Sequence, residues 1–351
     1  MKPVHFAGND YLGLARDPRL AEAMGRAARE FGVGATSGRF FLGWTRIHQQ
    51  LEDELADFMG TEGACIFPAA YLGGLTYYNT MAELGFRTVF CDATSHSNQF
   101  QGMRAAGLDV RPFKHLDAAD LRRQLGEYDR DRSGPPIIAT DGVYGMSGEV
   151  APMKELAEAA REVGAELFID DAHGVFALGE SGRGSWELCG LEPGEATVLG
   201  SMSKALGCGG GFFAGRGELI ERLKHGPGAS GSTPTPPPLV AACLAALNIV
   251  RTEPELRMRM QAHAVQMRQV LAARGIGVAS DQTAILGMML KDEFEAAALA
   301  EQFEANGLVI RYAKYPSEPR HNLLRSIARA CYTAEDLDRF AEVVATLRRA
   351  D

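Results

Sequence analysis

The sequence predicts an α/β protein: a large domain on a mostly parallel, doubly wound sheet, followed by a smaller C-terminal α+β domain. Three observations predict it. Short apolar runs alternate with amphipathic helix patterns from about residue 60 to residue 215; the chain changes character after "GSTPTPPP"; and acids, a histidine and a lysine appear where apolar runs give way to glycines.

Seven runs read in order as strands of the large sheet: "EGACIF", "RTVFCD", "DVRPF", "PPIIAT", "AELFID", "EATVLG" and "GFFAG". Helix patterns lie between them, such as "PMKELAEAAREVG", where Leu156, Ala159, Ala160 and Val163 share one face. The proline cluster from Pro234 to Pro238 is expected to lie outside any regular element and to connect two domains. A long helical run is expected from about Leu239 to Ala273, then short strands in "AILGMML" and "GLVIRY" with helices between and after. The expected division is an N-terminal segment over 1–35 packing with the small domain, a large domain over 36–238, and a linking helix with the small domain over 239–351.

Bulk properties narrow the function classes. A chain of 351 residues with 46% hydrophobic content can build two domains around sizeable cores. A formal net charge of -9 argues against a nucleic-acid or anionic-membrane partner, both of which need a basic field. Small molecules are the expected ligands. The six cysteines form no C-x-x-C pair, which speaks against a zinc site or a disulfide framework and for reduced thiols in the cytoplasm. "MKPVHFAGNDYLGL" lacks the charged and apolar regions of a targeting peptide. "LVAACLAALNIV" falls short of the ~20 residues a membrane-spanning helix needs.

The stretch "ELFIDDAHGVFALGESGRG" carries the first chemical signal. Leu167, Phe168 and Ile169 read as a buried strand, so Asp170, Asp171 and His173 emerge at its carboxyl end, where open α/β sheets form their ligand crevices. Asp171 is expected to be structural, because neighbouring strand residues point to opposite sides. A second signal is "ATVLGSMSKALGCGGGFFAG", in which Ser201, Ser203 and Lys204 follow a strand and precede a glycine cluster. That setting suits a lysine that reacts with an aldehyde cofactor. Pyridoxal phosphate (PLP) needs such a lysine, a carboxylate at its pyridine nitrogen, a flat partner for its ring and donors for its phosphate. Asp170 offers the carboxylate, His173 reach to the phenolic oxygen, and His96 in "DATSHSNQF" a flat face. Segments around Ala70, Tyr71 and Ser201 offer phosphate donors. The bland alternatives are a hydrogen-bonded turn pair for Asp170 and His173, and packing or capping roles for Arg39, His48 and Tyr11. Phe40, Phe41 and Trp44 are expected to fill core or dimer contacts. No G-x-G-x-x-G opens a helix after the first strand, which disfavours a nicotinamide cofactor. No metal is expected, although Asp170, Asp171 and His173 leave a metal hydrolase as a rival.

The motifs resemble those of the α-oxoamine synthase family of fold-type-I PLP-dependent enzymes. "GNDYLGL" resembles the family's opening, and "GATSGRFFLGWTRIHQQLEDELADFMG" its G-x-x-x-x-R-x-x-x-G-x-x-x-x-H-x-x-L-E segment; "DDAHGVFALGESGRG" and "SMSKALG" resemble its two cofactor motifs. The resemblance runs from "GNDYLGL" near the start to "TAEDLDRF" near the end, nearly the whole chain. It implies a fold-type-I transferase in which Lys204 holds PLP, Asp170 faces the pyridine nitrogen, His173 the phenolic oxygen, and His96 stacks on the ring. It implies Asn9 and Arg325 for the substrate carboxylate, with Arg320 and Arg329 near enough in sequence to be exchanged for Arg325. Ser201 matches a phosphate-side hydroxyl, and Thr233 a residue reaching the phosphate of a neighbouring subunit, so a homodimer with sites at its interface is implied.

The implied activity is condensation of a small amino acid with an acyl thioester, on coenzyme A or a carrier protein, usually with decarboxylation, to give an α-aminoketone. Amino transfer, decarboxylation, racemisation or aldol cleavage on the same scaffold are alternatives, as is a silent assembly partner. The chain departs from the family at Gly145, where the family has a serine; at Pro68, Ala69 and Ala70, which replace a hydroxyl-bearing turn; and at Tyr332, which replaces a histidine; the sequence given starts almost at "NDYLG", ahead of which the family usually carries a further arm.

Overall fold

The computed structural model describes residues 3–130, 134–314 and 318–348. After a short strand β1 (Val4–His5), the seven expected runs form β2 (Gly63–Phe67), β3 (Thr88–Asp92), β4 (Asp109–Phe113), β5 (Ile137–Asp141), β6 (Glu166–Asp170), β7 (Thr197–Ser201) and β8 (Gly211–Gly215). They join in one sheet of order β2-β8-β7-β6-β5-β3-β4, parallel except for β8, which runs antiparallel to both neighbours. Every residue of β3, β5, β7 and β8 is buried, which is why these strands read as continuous apolar runs. Alternation along the strands feeds two cores: Ile138, Ile169 and Phe212 face one layer, and Ile137, Phe168 and Phe213 the other. Pro112 is tolerated inside β4 because that strand is at the sheet edge, where a missing N–H costs no ladder bond.

The C-terminal part holds a three-stranded antiparallel sheet, with β10 (Ile285–Met289) between β9 (Gly277–Val278) and β12 (Leu323–Ile327). The "GLVIRY" run yields only β11 (Leu308–Val309), which pairs in parallel with β1. This pairing brings the N-terminal segment onto the C-terminal part, and the buried Phe6 ring sits 4.6 Å from Tyr332 and 4.9 Å from Phe340. Gly13 finishes the approach. It has φ +77, and a Cβ there would lie 2.6 Å from Cys331 Cβ, so no other residue fits without displacement.

Two local expectations are corrected. The helical run after residue 238 is two helices, Pro237–Thr252 and Glu255–Ala272, interrupted at Glu253 (φ -124, ψ 63) and Pro254. Proline disfavours the helical conformation in the residue before it and has no N–H to continue the ladder. The proline cluster does not lie wholly outside regular structure: Pro237 and Pro238 occupy the first turn of the first helix, where backbone N–H groups have no intrahelical partners. Among the described residues, no helix is long and apolar enough to cross a membrane.

Candidate active site

The parallel strands β5, β6 and β7 end together, and their last residues are Asp141, Asp170 and Ser201. Asp141 and Asp170 are register partners across adjacent strands. The turn after β7 carries Ser203 and Lys204, and β3 leads through Thr94 and His96 into helix Ser97–Ala105, whose N-cap is His96. These strand ends surround a cavity of about 460 Å³ lined by Lys204, Asp170, His173, His96, Ser201 and Ser203 among others. Ala70 and Tyr71 line it as well, at the N-terminus of helix Leu72–Glu83. An exposed helix start presents backbone N–H groups and a partial positive charge, an arrangement that suits an anion such as a phosphate. The Pro68-Ala69-Ala70 turn therefore keeps main-chain donors although it lacks side-chain ones.

Each charged group has a distinct environment. Burial lowers the Lys204 ammonium to about 8, against an opposing pull from Asp170. The Asp170 carboxylate receives only long contacts, 3.4 Å from Asn98 Nδ2 and 3.3 Å from the Ala172 N–H, which leaves acceptor capacity facing the cavity. Asp141 also lines the cavity but is held by shorter bonds: the His96 N–H reaches both its oxygens at 3.1 Å and Gln99 Nε2 donates at 2.6 Å. Burial, then the neighbouring Asp170, push the Asp141 carboxyl well above the usual carboxylate range. Asp171 points away from the cavity and accepts the Ser185 N–H at 2.7 Å, and burial raises it to about 7. The expected structural role of Asp171 agrees with this placement.

The substrate candidates lie in an adjoining network. Arg325 on β12 donates to Asn9 Oδ1 at 2.7 Å, the Gly8 carbonyl at 3.0 Å and the Tyr11 hydroxyl at 3.2 Å. Tyr11 in turn is 2.7 Å from His173 Nδ1. The two competing arginines are engaged elsewhere. Arg320 pairs with Glu149 and Glu318, and Arg329 with Asp10. Thr233 is exposed and does not line the cavity of its own subunit. Arg39 and His48 have structural partners. Arg39 forms a buried two-pronged pair with Glu52 at 2.8 and 2.7 Å, and His48 is held between Thr45 and the Thr235 carbonyl.

Sequence reasoning missed Asn98, Gln99 and Asp141, and treated Tyr11 as a packing anchor. Asp141 had a signal: "IIATDG" ends in an acid and a glycine just as "LFIDDAHG" does. Tyr11 had none, since its partners are more than 160 positions away.

Among the described residues, no group of three or more His, Cys, Asp or Glu side chains gathers as a metal site. The donor set fits PLP: a half-buried lysine, a carboxylate with spare acceptor capacity, an imidazole and a helix N-terminus share one cavity.

The sequence profile of the class I and II aminotransferases matches residues 2–344. An 8-amino-7-oxononanoate synthase of Chromohalobacter salexigens is 36% identical over 99% of this chain and 90% of its own length. One from Symbiobacterium thermophilum is 34% identical over 95% and 86%. This chain belongs to the α-oxoamine synthase family. Its fold is that of the fold-type-I PLP transferases. A serine palmitoyltransferase from S. paucimobilis, solved with PLP and myriocin, superposes with a TM-score of 0.91 at 28% identity, covering 98% of this chain and 89% of that one. As in the rest of the family, the cofactor of this α-oxoamine synthase is PLP.

Proposed function

We propose that this α-oxoamine synthase condenses a small amino acid with an acyl thioester, carried on coenzyme A or an acyl-carrier protein, and releases an α-aminoketone, usually with carbon dioxide. One observation carries the reading: Lys204, Asp170, His173 and His96 line one cavity. PLP bound there supplies an electron-withdrawing ring that spreads the charge left on the substrate α-carbon.

The protein's own groups do the rest. Lys204 would hold the cofactor aldehyde, and its amine, when free, would take the α-proton; a pKa lowered to about 8 leaves about a tenth of that amine unprotonated at pH 7, far more than an ordinary lysine offers. With PLP bound, Asp170 would keep the pyridine nitrogen protonated, His173 would meet the phenolic oxygen, and His96 would cover the ring and donate to the thioester carbonyl. Ala70, Tyr71 and Ser201 hold the phosphate. Asn9 and Arg325 hold the substrate carboxylate, and Arg325 Nε, which is buried without a hydrogen-bond partner among the described residues, has donor capacity to spare.

The working unit in this proposal is a cytoplasmic homodimer in which Thr233 reaches the phosphate of the neighbouring subunit, with domains divided near residues 35 and 238. Phe40, Phe41 and Leu42 support a covered surface there, being 53, 80 and 90% exposed in one subunit. The decisive experiment is a spectral titration of the PLP-loaded protein with glycine, L-alanine and L-serine, followed by acyl thioesters. Product that requires the thioester is expected. Transamination or racemisation without it would overturn the reading. Lys204→Ala should abolish the visible band of the bound cofactor, and a retained band would refute the lysine assignment.

A further inference from the structure

His173 is held in a way that neither its motif nor its role explains. Its Nδ1 is 2.7 Å from the hydroxyl of Tyr11, a residue only 1% exposed. The same hydroxyl oxygen lies 3.2 Å from Arg325 Nη2. A guanidinium has donors and no acceptor, so the phenol oxygen must accept from Arg325. The phenolic proton then needs an acceptor of its own, and His173 Nδ1 is the one shown within reach of it among the described residues, so the buried hydroxyl is fully paired when Nδ1 accepts. Arg325 is held in this arrangement by Asn9 Oδ1, which takes the same Nη2, and by the Gly8 carbonyl, which takes Nη1.

The far side of the ring is also specified. A Cβ at Gly145 would lie 2.7 Å from His173 Nε2, 3.2 Å from Cε1 and 3.3 Å from Cδ2. Contacts under 3.0 Å are essentially never shown by a real side chain, and here the obstacle is a half-buried ring held at Nδ1. In this chain the ring therefore occupies the space that a side chain at Gly145 would take, and a Cβ there would require the ring to shift.

We propose that Tyr11 is a positioning residue that fixes His173 as the neutral tautomer protonated at Nε2, and that Gly145 provides the space in which that ring sits. Resting on the reading of His173 as the group at the cofactor's phenolic oxygen, the proposal makes Nε2–H a permanent donor there. Burial favours the neutral ring, as do the cationic groups that face it, Lys204 from the turn after β7 and Arg325 from β12; His96 faces it from the start of its helix. A hydrogen bond donated to Nδ1 adds to this by stabilising the unprotonated nitrogen.

The test is two-bond ¹H–¹⁵N correlation spectroscopy of the full chain labelled at its eight histidines, with and without PLP, His173 being assigned by the signal lost in His173→Gln. Wild-type protein is expected to show His173 protonated at Nε2 alone. Tyr11→Phe keeps the ring's bulk and should give a mixture of tautomers, with the His173 protonation constant rising roughly tenfold. Gly145→Ala should displace the ring, produce the same loss of tautomer, and change the visible band of the PLP-loaded protein, while Tyr144→Phe beside it should not. A proton on Nδ1 in the wild type overturns the proposal even if neither variant folds. So does an unaltered tautomer in a folded Tyr11→Phe protein. The expected tautomer in a protein whose Lys204 does not take up PLP would sink the functional reading and leave this one standing; the reverse pattern would sink only this one.

Discussion

Asp141 and Asp170 are the same residue type at the same height on adjacent strands, yet only one is free to do chemistry. Asp141 spends its oxygens on the His96 N–H and Gln99, which orients the start of the helix carrying His96. Asp170 keeps capacity for a ligand. Asp170→Asn is therefore expected to lower kcat/KM by about 10²-fold or more, the scale of losing a charged group that acts on the reacting centre, while PLP still attaches to Lys204. Steady-state kinetics and the visible spectrum of the variant check both halves. Arg325→Lys loses the planar fork and the anchoring of Tyr11, so the KM for the amino acid should rise about tenfold or more. A KM unchanged in that variant would remove Arg325 from the substrate site.

At the scale of elements, the strand-end geometry depends on what lies behind it. Helix Arg46–Met59 is tied to β2 through Glu52, which accepts from Arg39 and from the Ile66 N–H at 2.8 Å, while the Arg39 guanidinium stacks 3.7 Å from the Trp44 ring. Glu52→Gln leaves a buried guanidinium unpaired and should cost about 3 kcal/mol or more, read as a lowered denaturation midpoint. The turn after β6 is equally constrained. A Cβ at Gly174 would lie 2.1 Å from Asp171 Oδ1, so Gly174→Ala is expected to destabilise by about 1–3 kcal/mol through overpacking under His173, with reduced PLP affinity by spectral titration.

For the whole molecule, one ionic chain spans the large sheet and the C-terminal part beside the cavity. His115 Nδ1 is 3.0 Å from Asp92 and Nε2 3.4 Å from Glu149, which also takes Arg320 Nη2 at 2.6 Å. Although burial opposes its charge, these carboxylates raise His115 to about 9. A histidine raised on folding contributes stability that is complete below about 6.5 and is lost as pH rises toward 9. Asp171, raised to about 7, acts in the same sense: the folded state binds its proton more tightly, so stability falls as pH climbs from about 4 to 7. Glu149, lowered to about 2 against burial by His115 and Arg320, contributes in the opposite sense and loses its stabilisation as pH drops below about 4.5. The melting temperature should therefore be higher at pH 6 than at pH 9. His115→Gln should lower it more at pH 6 than at pH 9.5, and thermal melts across that range decide.

The sequence by itself determined the seven strands of the large sheet, because doubly buried strands leave unbroken apolar runs, and it nominated Lys204, Asp170, His173 and His96, which line one cavity; for the first three the signal was a reactive group at a strand end followed by glycine. It did not determine the break at Pro254 or the helix start at Pro237, where one residue's backbone restriction outweighs a long apolar periodicity. Only the tertiary structure decided which arginine meets Asn9, that Asp141 serves His96, and that Tyr11 and Gly145 bracket the ring of His173. Such contacts join residues more than a hundred positions apart or lie between side chains and bare backbone, and hydrophobic pattern carries no information about either.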